Sequence, residues 1–345
     1  MADPQRLLPT TVIGSYATPS WLWTAIGEID KGEYGQTDVR ETFDDAVNIA
    51  ILDQQRAGVD IITDGEMRRW YFVQSFYRRM SGLESEPALR KIGVYGYDSP
   101  PRYRTTGKLS VPDGLGIVGE YEYTKTHTDR AIKVTCPGPL TLTMHIRPRE
   151  GYNSRLDLAW EFAALINNEL KALVEAGAEY IQIDEPSFAI IPGELKEWIS
   201  LYNASVEGVD AKLALHVCFG NLGSRPRGKR SYRWMFPALL DANAEQLVLE
   251  YANREMTETD LWREFSVDRE LGAGVIDVKS FYVEQPEDVA ERIRTFLDYV
   301  PPERLYVSPD CGFFQLPRWL AYLKLEAMVA GTEIVRRELA GATSV

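Results

Sequence analysis

Short runs of β-branched and apolar residues recur along the chain, and segments with helical periodicity separate most of them. The eight runs are residues 10–15, 59–64, 131–136, 180–184, 212–218, 246–251, 273–278 and 304–309. The longer helical segments are residues 42–57, 155–176, 256–271, 286–299 and 316–339. Strands that alternate with helices form βαβ units around a parallel sheet, and eight such units close into a barrel. The pattern therefore predicts an α/β fold, a single (β/α)8 TIM barrel.

The interval between the second and third runs is too long to hold one helix alone. Its 66 residues include two stretches of alternating polar and apolar character, 103–110 and 119–128, on either side of the turn sequence VPDGLG. Such alternation is typical of strands, and a turn with Pro and Gly between them is typical of a hairpin. We therefore predict one barrel domain over residues 1–345, with an insertion at residues 86–130 that holds a β-hairpin between strands 2 and 3.

Acidic residues outnumber basic ones, and this balance limits the partners that the protein can have. The chain has 51 Asp and Glu against 38 Lys and Arg, a formal net charge of −13. A protein that coats nucleic acid needs a basic surface, so a nucleic-acid partner is not expected. No run approaches the roughly 20 apolar residues of a membrane span, and the first residues do not resemble a secretory signal. The three Cys suit a reducing compartment, so we expect a cytoplasmic protein without a membrane partner.

Four potential metal ligands stand at the ends of predicted strands, where barrel enzymes carry their chemistry. His216 and Cys218 end the fifth strand, Glu250 ends the sixth and Cys311 the eighth. Residues two apart on a strand point to the same face, so His216 and Cys218 can bind one ion. One imidazole, two thiolates and a carboxylate suit tetrahedral Zn²⁺. Both Cys could instead be small buried core residues, but their positions at two strand ends favour a metal site.

The spacing of these ligands limits what a bound zinc would do. The chain lacks the paired Cys-x₂₋₄-Cys knuckles of structural zinc sites, so ligands scattered over three strands favour a catalytic metal. Such a zinc can acidify a water for hydrolysis, or it can hold an external thiol as a thiolate that attacks an alkyl carbon. The spacing alone leaves both chemistries open.

Seven motifs, in the same order along the chain, resemble the catalytic C-terminal barrel of the cobalamin-independent methionine synthase family. They are TTVIGSY (10–16), DGEMRR (64–69), IQIDEP (181–186), HVC (216–218), LEYANR (249–254), GAGVIDVKS (272–280) and SPDCGF (308–313). The resemblance implies a zinc-dependent methyltransferase that activates homocysteine as a zinc thiolate and gives methionine. It also implies that His216, Cys218, Glu250 and Cys311 are the zinc ligands.

The same resemblance assigns candidate substrate and catalytic residues. Ile13 and Ser15 fall where the family holds the carboxylate of the amino acid, and Glu66 and Asp184 fall where it holds the amine. Two carboxylates suit an ammonium group. Lys279 falls on the family's catalytic His, so Lys279, Glu66 and Asp184 are the candidate catalytic residues.

The sequence departs from the family in the part that binds the methyl donor. Full-length members have a second, N-terminal barrel, and their pterin site includes a Trp that residues 138–148 do not contain. The chain thus resembles a short, single-barrel branch of the superfamily, in which some members use a methylated corrinoid. We therefore expect a methylcorrinoid or a corrinoid protein, rather than methyltetrahydrofolate, as the donor.

A basic segment in this acidic chain supports an alternative function. Its cations are Arg225, Arg227, Lys229, Arg230 and Arg233, which follow the fifth strand. Arg225 and Arg230 are candidate substrate-binding residues for a sulfonate, a phosphate or a corrinoid tail, although the segment could also be a solvated loop. The alternative is alkyl transfer to a sulfonated thiol, as in epoxyalkane:coenzyme M transferase. A metal-free decarboxylase-like barrel and a non-catalytic barrel are further alternatives, and the His-x-Cys motif argues against the first.

Overall fold

The computed structural model of the protein describes residues 6–69, 72–86, 101–221 and 229–342. The α-helices are α1 (Ser20–Asp30), α2 (Gln36–Ala57), α3 (Gln74–Tyr77), α4 (Ile117–Lys125), α5 (Arg155–Glu175), α6 (Ser187–Ile190), α7 (Leu195–Ser205), α8 (Leu261–Glu264), α9 (Pro286–Leu297) and α10 (Arg318–Ala342). The strands are β1 (Ile61–Ile62), β2 (Ser81–Glu86), β3 (Arg102–Ser110), β4 (Ala131–Ile132), β5 (Val134–Pro137), β6 (Ile146–Glu150), β7 (Tyr180–Asp184), β8 (Lys212–Val217), β9 (Gln246–Leu249), β10 (Glu270–Ile276) and β11 (Leu305–Pro309). Parallel strands that alternate with helices confirm the predicted α/β class.

The backbone forms two compact units, and one of them comprises the described residues within 1–68, 123–134 and 246–345. Its strands are parallel neighbours in the order β9, β10, β11. Thr10 forms a bridge with Val307 of β11, Thr11 forms one with Ile61 of β1, and β1 pairs with β4. This series follows the order of the predicted strands six, seven, eight, one, two and three. The helix α10 packs against both α9 and α2.

The other unit comprises the described residues within 69–122 and 135–245. Its strand β8 lies beside β7, which lies beside β5, and all residues of β5 and β7 are buried. Burial of every residue in such strands is typical of a parallel sheet that is covered on both faces. The helix α5 packs against α7 in this unit.

The inserted antiparallel pair exists and includes the predicted strand at residues 103–110, but the partner of that strand is β2 and not residues 119–128. The pair is formed by β2 and β3, and β6 adds a parallel third strand. Residues 119–128, predicted as a strand, lie mostly in α4. The carboxylate of Glu169 accepts hydrogen bonds from the backbone N–H groups of Leu115, Ile117 and Val118 at 2.7, 2.7 and 3.2 Å, which caps this helix. Glu169 lies in α5, so the sequence around α4 does not reveal this cap.

The predicted helix at residues 256–271 is also wrong. Only the short α8 forms there, and β10 begins at Glu270. Glu255, Met256, Glu258 and Ser266 have positive φ angles between 49° and 66°. Such left-handed residues interrupt a right-handed helix, and a side-chain pattern does not reveal them.

None of the helices in the described ranges is both long enough and apolar enough to span a bilayer.

Candidate metal and substrate site

Glu250 and Lys279 form a buried ion pair beyond the ends of β9 and β10. Lys279 Nζ donates to Glu250 Oε2 at 2.7 Å, and the two side chains are 1% and 0% exposed. The low exposure makes each charge depend on the other, because a buried ion that loses its partner is strongly destabilised. Both predicted site residues are therefore brought together, in a pairing that the sequence did not suggest.

Asp310, which precedes Cys311, fixes the turn that follows Glu250. Its Oδ1 accepts hydrogen bonds from the N–H groups of Tyr251 and Ala252, both at 2.8 Å, and its Oδ2 accepts one from Asn253 at 2.6 Å. Burial and the nearby Glu250 carboxylate raise the pKa of Asp310. Its place inside the SPDCGF motif was the only signal in the sequence for this role.

Ser15 and Glu66 lie at the ends of the first two predicted strands. Phe313 N–H donates to the carbonyl of Ser15 at 2.7 Å, so Ser15 lies against the segment that follows Cys311. Glu66 is buried and has a φ of 54°, and its N–H donates to Asp64 Oδ1 at 2.9 Å. Such left-handed backbone costs energy at a non-Gly residue and is frequent at functional sites. Ile13 is buried.

Asp184 and His216 face each other across two neighbouring strands. The register of β7 and β8 pairs them directly, and Gln182 Nε2 donates to Asp184 Oδ1 at 2.7 Å. Cys218 follows two residues after His216 and is buried as well. Tyr232 OH donates to the carbonyl of Val217 at 2.7 Å, which holds the backbone next to Cys218.

Three soft ligand atoms form a group that can hold a metal ion. The ligand atoms of His216, Cys218 and Cys311 all lie within 4.8 Å of one another. One imidazole nitrogen and two thiolate sulfurs are ligands that Zn²⁺ prefers, and this closeness fits one shared ion. Among the described residues, Glu250 is not in this group; the contact described for its Oε2 is with Lys279.

A buried carboxylate next to Asp184 organises the loop after β5. Glu185 accepts hydrogen bonds from the N–H groups of Leu140 and Thr141 at 2.9 and 3.1 Å and from Thr141 Oγ1 at 2.7 Å. Burial raises the pKa of Glu185 and the hydrogen bonds from Leu140 and Thr141 lower it. Burial is the larger effect, and the resulting pKa is about 8. A Cβ on Gly138 would overlap with the Glu185 side chain, so only glycine fits at position 138.

The structure describes the third Cys of the chain, Cys136, and some of the basic residues that follow β8. Burial raises the pKa of the Cys136 thiol well above its ordinary value, which disfavours the thiolate form. Arg230 and Arg233 are exposed. Arg225 and Arg227 lie outside the described residues.

Comparisons with known proteins show which family the chain is similar to over almost its whole length. Residues 8–333 match the family model described as "Cobalamin-independent synthase, Catalytic domain". The methionine synthase of Sulfurisphaera tokodaii is 39% identical over 339 residues, which cover 98% of this chain and 95% of that protein. The methionine synthase of Sulfolobus acidocaldarius is 38% identical over 340 residues, with the same two shares covered.

A solved structure extends the comparison to three dimensions. The B12-independent methionine synthase from Shewanella sp. W3-18-1, in complex with selenomethionine, superimposes with a TM-score of 0.84 at 30% identity. The match covers 97% of this chain and 100% of that one. This likeness confirms the predicted (β/α)8 barrel fold. The expected methylcorrinoid or corrinoid-protein donor is wrong, because the family and this relative are described as independent of cobalamin.

Proposed function

Because the chain belongs to the family of cobalamin-independent methionine synthase catalytic domains, and is therefore a methyltransferase that forms methionine, we propose that it methylates the sulfur of homocysteine with the help of zinc. The observation that carries this proposal is the close group of His216, Cys218 and Cys311. When bound there, zinc would lower the pKa of the substrate thiol and keep it deprotonated near neutral pH.

Glu250 is the proposed fourth protein ligand, and Lys279 is its partner. Carboxylates and imidazoles that bind metals are commonly oriented by a hydrogen bond from a neighbouring side chain. The 2.7 Å contact between Lys279 Nζ and Glu250 Oε2 is of this kind. Lys279 thus acts through its positive charge on Glu250.

The amino-acid part of homocysteine is proposed to bind to residues beside the soft ligands. Asp184 is paired in register with His216, and with Glu66 it supplies negative charge for the ammonium group. Ser15 and the backbone of Ile13 are proposed to bind the carboxylate, since Ser15 contacts the segment after Cys311. Arg230, with Arg225, is proposed to contact an anionic part of a substrate.

Metal analysis tests the zinc site. We expect about one zinc per chain in the purified protein, and its loss in Cys218→Ser and Cys311→Ser, because each change removes a thiolate ligand. Cys136→Ser is the matched control, since Cys136 is buried but lies outside the group of three ligands. Zinc retained in both ligand variants would contradict the proposal.

Calorimetry tests the thiol substrate. Homocysteine should bind to the zinc-loaded protein with release of a proton, and coenzyme M should compete poorly with it. Alkyl transfer to a sulfonated thiol is disfavoured because the relatives are methionine synthases. Homocysteine binding that is equally strong after zinc removal would contradict the role given to the metal.

A further inference from the structure

A continuous series of hydrogen bonds joins helix α10 to Glu250. It starts at Lys324 of α10, whose Nζ donates to Glu284 Oε2 at 2.8 Å and to the carbonyl of Tyr282. Glu284 Oε1 accepts a hydrogen bond from the N–H of Asp277 at 2.9 Å. The series thus fixes both ends of the segment that contains Lys279.

Asp277 carries the series onward to Lys279. Its Oδ1 accepts a hydrogen bond from the N–H of Lys279 at 2.8 Å, and Asn253 Nδ2 donates to both of its carboxylate oxygens at 3.1 Å. Lys279 Nζ then contacts Glu250. Asn253 belongs to the turn that Asp310 fixes, so the backbone on both sides of the Glu250–Lys279 pair is held by carboxylates.

Burial shows that the Glu284–Lys324 pair is not a surface contact. Lys324 is 0% exposed and Glu284 is 1% exposed, whereas Phe281 and Tyr282 of the same segment are 64% and 57% exposed. Val278 of this segment is fully buried, but the two exposed aromatic residues add little packing that would hold the part of the segment after Lys279 in place. Its position therefore depends on the buried polar anchor.

We infer that Glu284 and Lys324 are positioning residues that hold the ammonium of Lys279 on the carboxylate of Glu250. This inference rests on the proposed function. With Lys279 in place, the charge of Glu250 is shared with an ammonium group, so Glu250 would hold a bound metal less tightly and a substrate thiol could replace it more easily. Without the anchor, Lys279 would shift, and Glu250 would compete more strongly with the thiol.

Cobalt-substituted protein tests the inference with a spectroscopic readout. The visible spectrum of the Co²⁺ form is titrated with homocysteine in the wild-type protein and in Lys324→Met. The variant should bind homocysteine about tenfold more weakly, which is the low end of the effects on metal affinity or activity seen when a residue that orients a metal ligand is lost. Its affinity for Co²⁺ without thiol, measured against a chelator, should not fall. A general structural defect would instead lower both affinities.

Two further variants complete the experiment. Glu284→Leu/Lys324→Met removes both charges, so it leaves neither one buried alone, and it should reproduce the weaker thiol binding if Lys324→Met does not fold. Arg336→Met, the matched control, breaks another buried ion pair, with Asp60 at 2.6 Å, and should leave homocysteine affinity unchanged.

The outcomes separate the inference from the proposed function. Wild-type protein that binds neither Co²⁺ nor homocysteine would overturn both. Wild-type protein that binds both, with homocysteine affinity unchanged in the Lys324→Met and double variants, would overturn the positioning role alone. An equal loss of metal and thiol affinity in these variants would also overturn it.

Discussion

Ser15 and Gly312 approach each other so closely that position 312 has no room for a side chain. A Cβ there would overlap with Ser15 Oγ and would lie 3.3 Å from the Ser15 carbonyl oxygen. Gly312 directly follows the proposed ligand Cys311. The absence of a side chain at this residue thus lets a proposed substrate residue lie beside a proposed metal ligand.

Gly312→Ala is expected to weaken homocysteine binding. The added methyl group must displace Ser15 or the backbone after Cys311, and overpacking of this kind costs about 1–3 kcal/mol. Calorimetry with homocysteine and urea unfolding measure the two effects. The control is Gly119→Ala in α4, where an added Cβ meets nothing within 4 Å. Unchanged homocysteine affinity in Gly312→Ala would argue against Ser15 as a substrate residue.

For single residues, the sequence was a good guide to the candidate ligands but a poor guide to the contacts that they make. His216, Cys218 and Cys311 could be found because rare residue types stand at strand ends. The sequence did not reveal that Lys279 pairs with Glu250 or that Asp310 fixes the turn after Glu250. No periodicity relates residues that are 29 or 57 positions apart. Such contacts depend on which strands become neighbours.

The helix α4 depends on the side chain of Glu169, which belongs to α5. Glu169→Ala should destabilise the protein by about 2–3 kcal/mol, because the N–H groups of Leu115, Ile117 and Val118 lose their buried acceptor. Urea unfolding measures the loss, and hydrogen exchange should accelerate at these three amides. Glu175→Ala, an exposed change in the same helix α5, should have little effect. Unaltered exchange at the three amides would contradict the cap.

Elements with strong side-chain patterns were predicted and those set by backbone conformation were not. The eight apolar runs all contain strands or bridges, because β-branched apolar residues suit buried parallel strands. The segment 256–271 has enough apolar residues for a helix, yet consecutive left-handed residues at Glu255 and Met256 prevent one there. Residues 119–128 were predicted as a strand for a related reason. The cap that stabilises α4 comes from Glu169 of α5, and no pattern within residues 119–128 reveals it.

Arg336 of α10 joins parts of one unit that are far apart in the sequence. It donates to the carbonyls of Leu7 and Leu8 at 2.9 and 2.8 Å and to Asp60 Oδ2 at 2.6 Å. Asp60 also accepts hydrogen bonds from the N–H and Oγ1 of Thr10 at 2.9 and 2.8 Å. One arginine thus connects the N-terminal segment, the start of β1 and the last described helix.

The stabilisation from Asp60 should depend on pH. Burial raises the pKa of Asp60, but the hydrogen bonds from Thr10 and Arg336 outweigh burial and hold the pKa below its ordinary 3.8. Because the folded-state pKa is the lower one, the stabilisation is complete above the ordinary value and is lost as the pH falls through the folded value. Asp60→Asn should therefore cost about 3 kcal/mol at pH 7, and less below about pH 4.

Unfolding of Asp60→Asn and wild-type protein, followed from pH 7 down to pH 3, measures this dependence. The control is Asp268→Asn, which removes a largely exposed partner of Arg304 and should cost under about 1 kcal/mol. A difference between wild type and Asp60→Asn that stays constant below pH 4 would show that the Asp60 pKa is not lowered.

The bridges of Thr10 and Thr11 also bear on how the chain folds during synthesis. The segment at Thr10 and Thr11 has two neighbours, and one of them, Val307 of β11, is made almost three hundred residues later than the segment itself. Contacts of such long sequence separation close slowly, because the intervening chain must first be brought into place. Ribosome-bound chains that end before β11 should therefore leave the segment at Thr10 and Thr11 open to chaperones or protease. Its protection should be among the last events of folding.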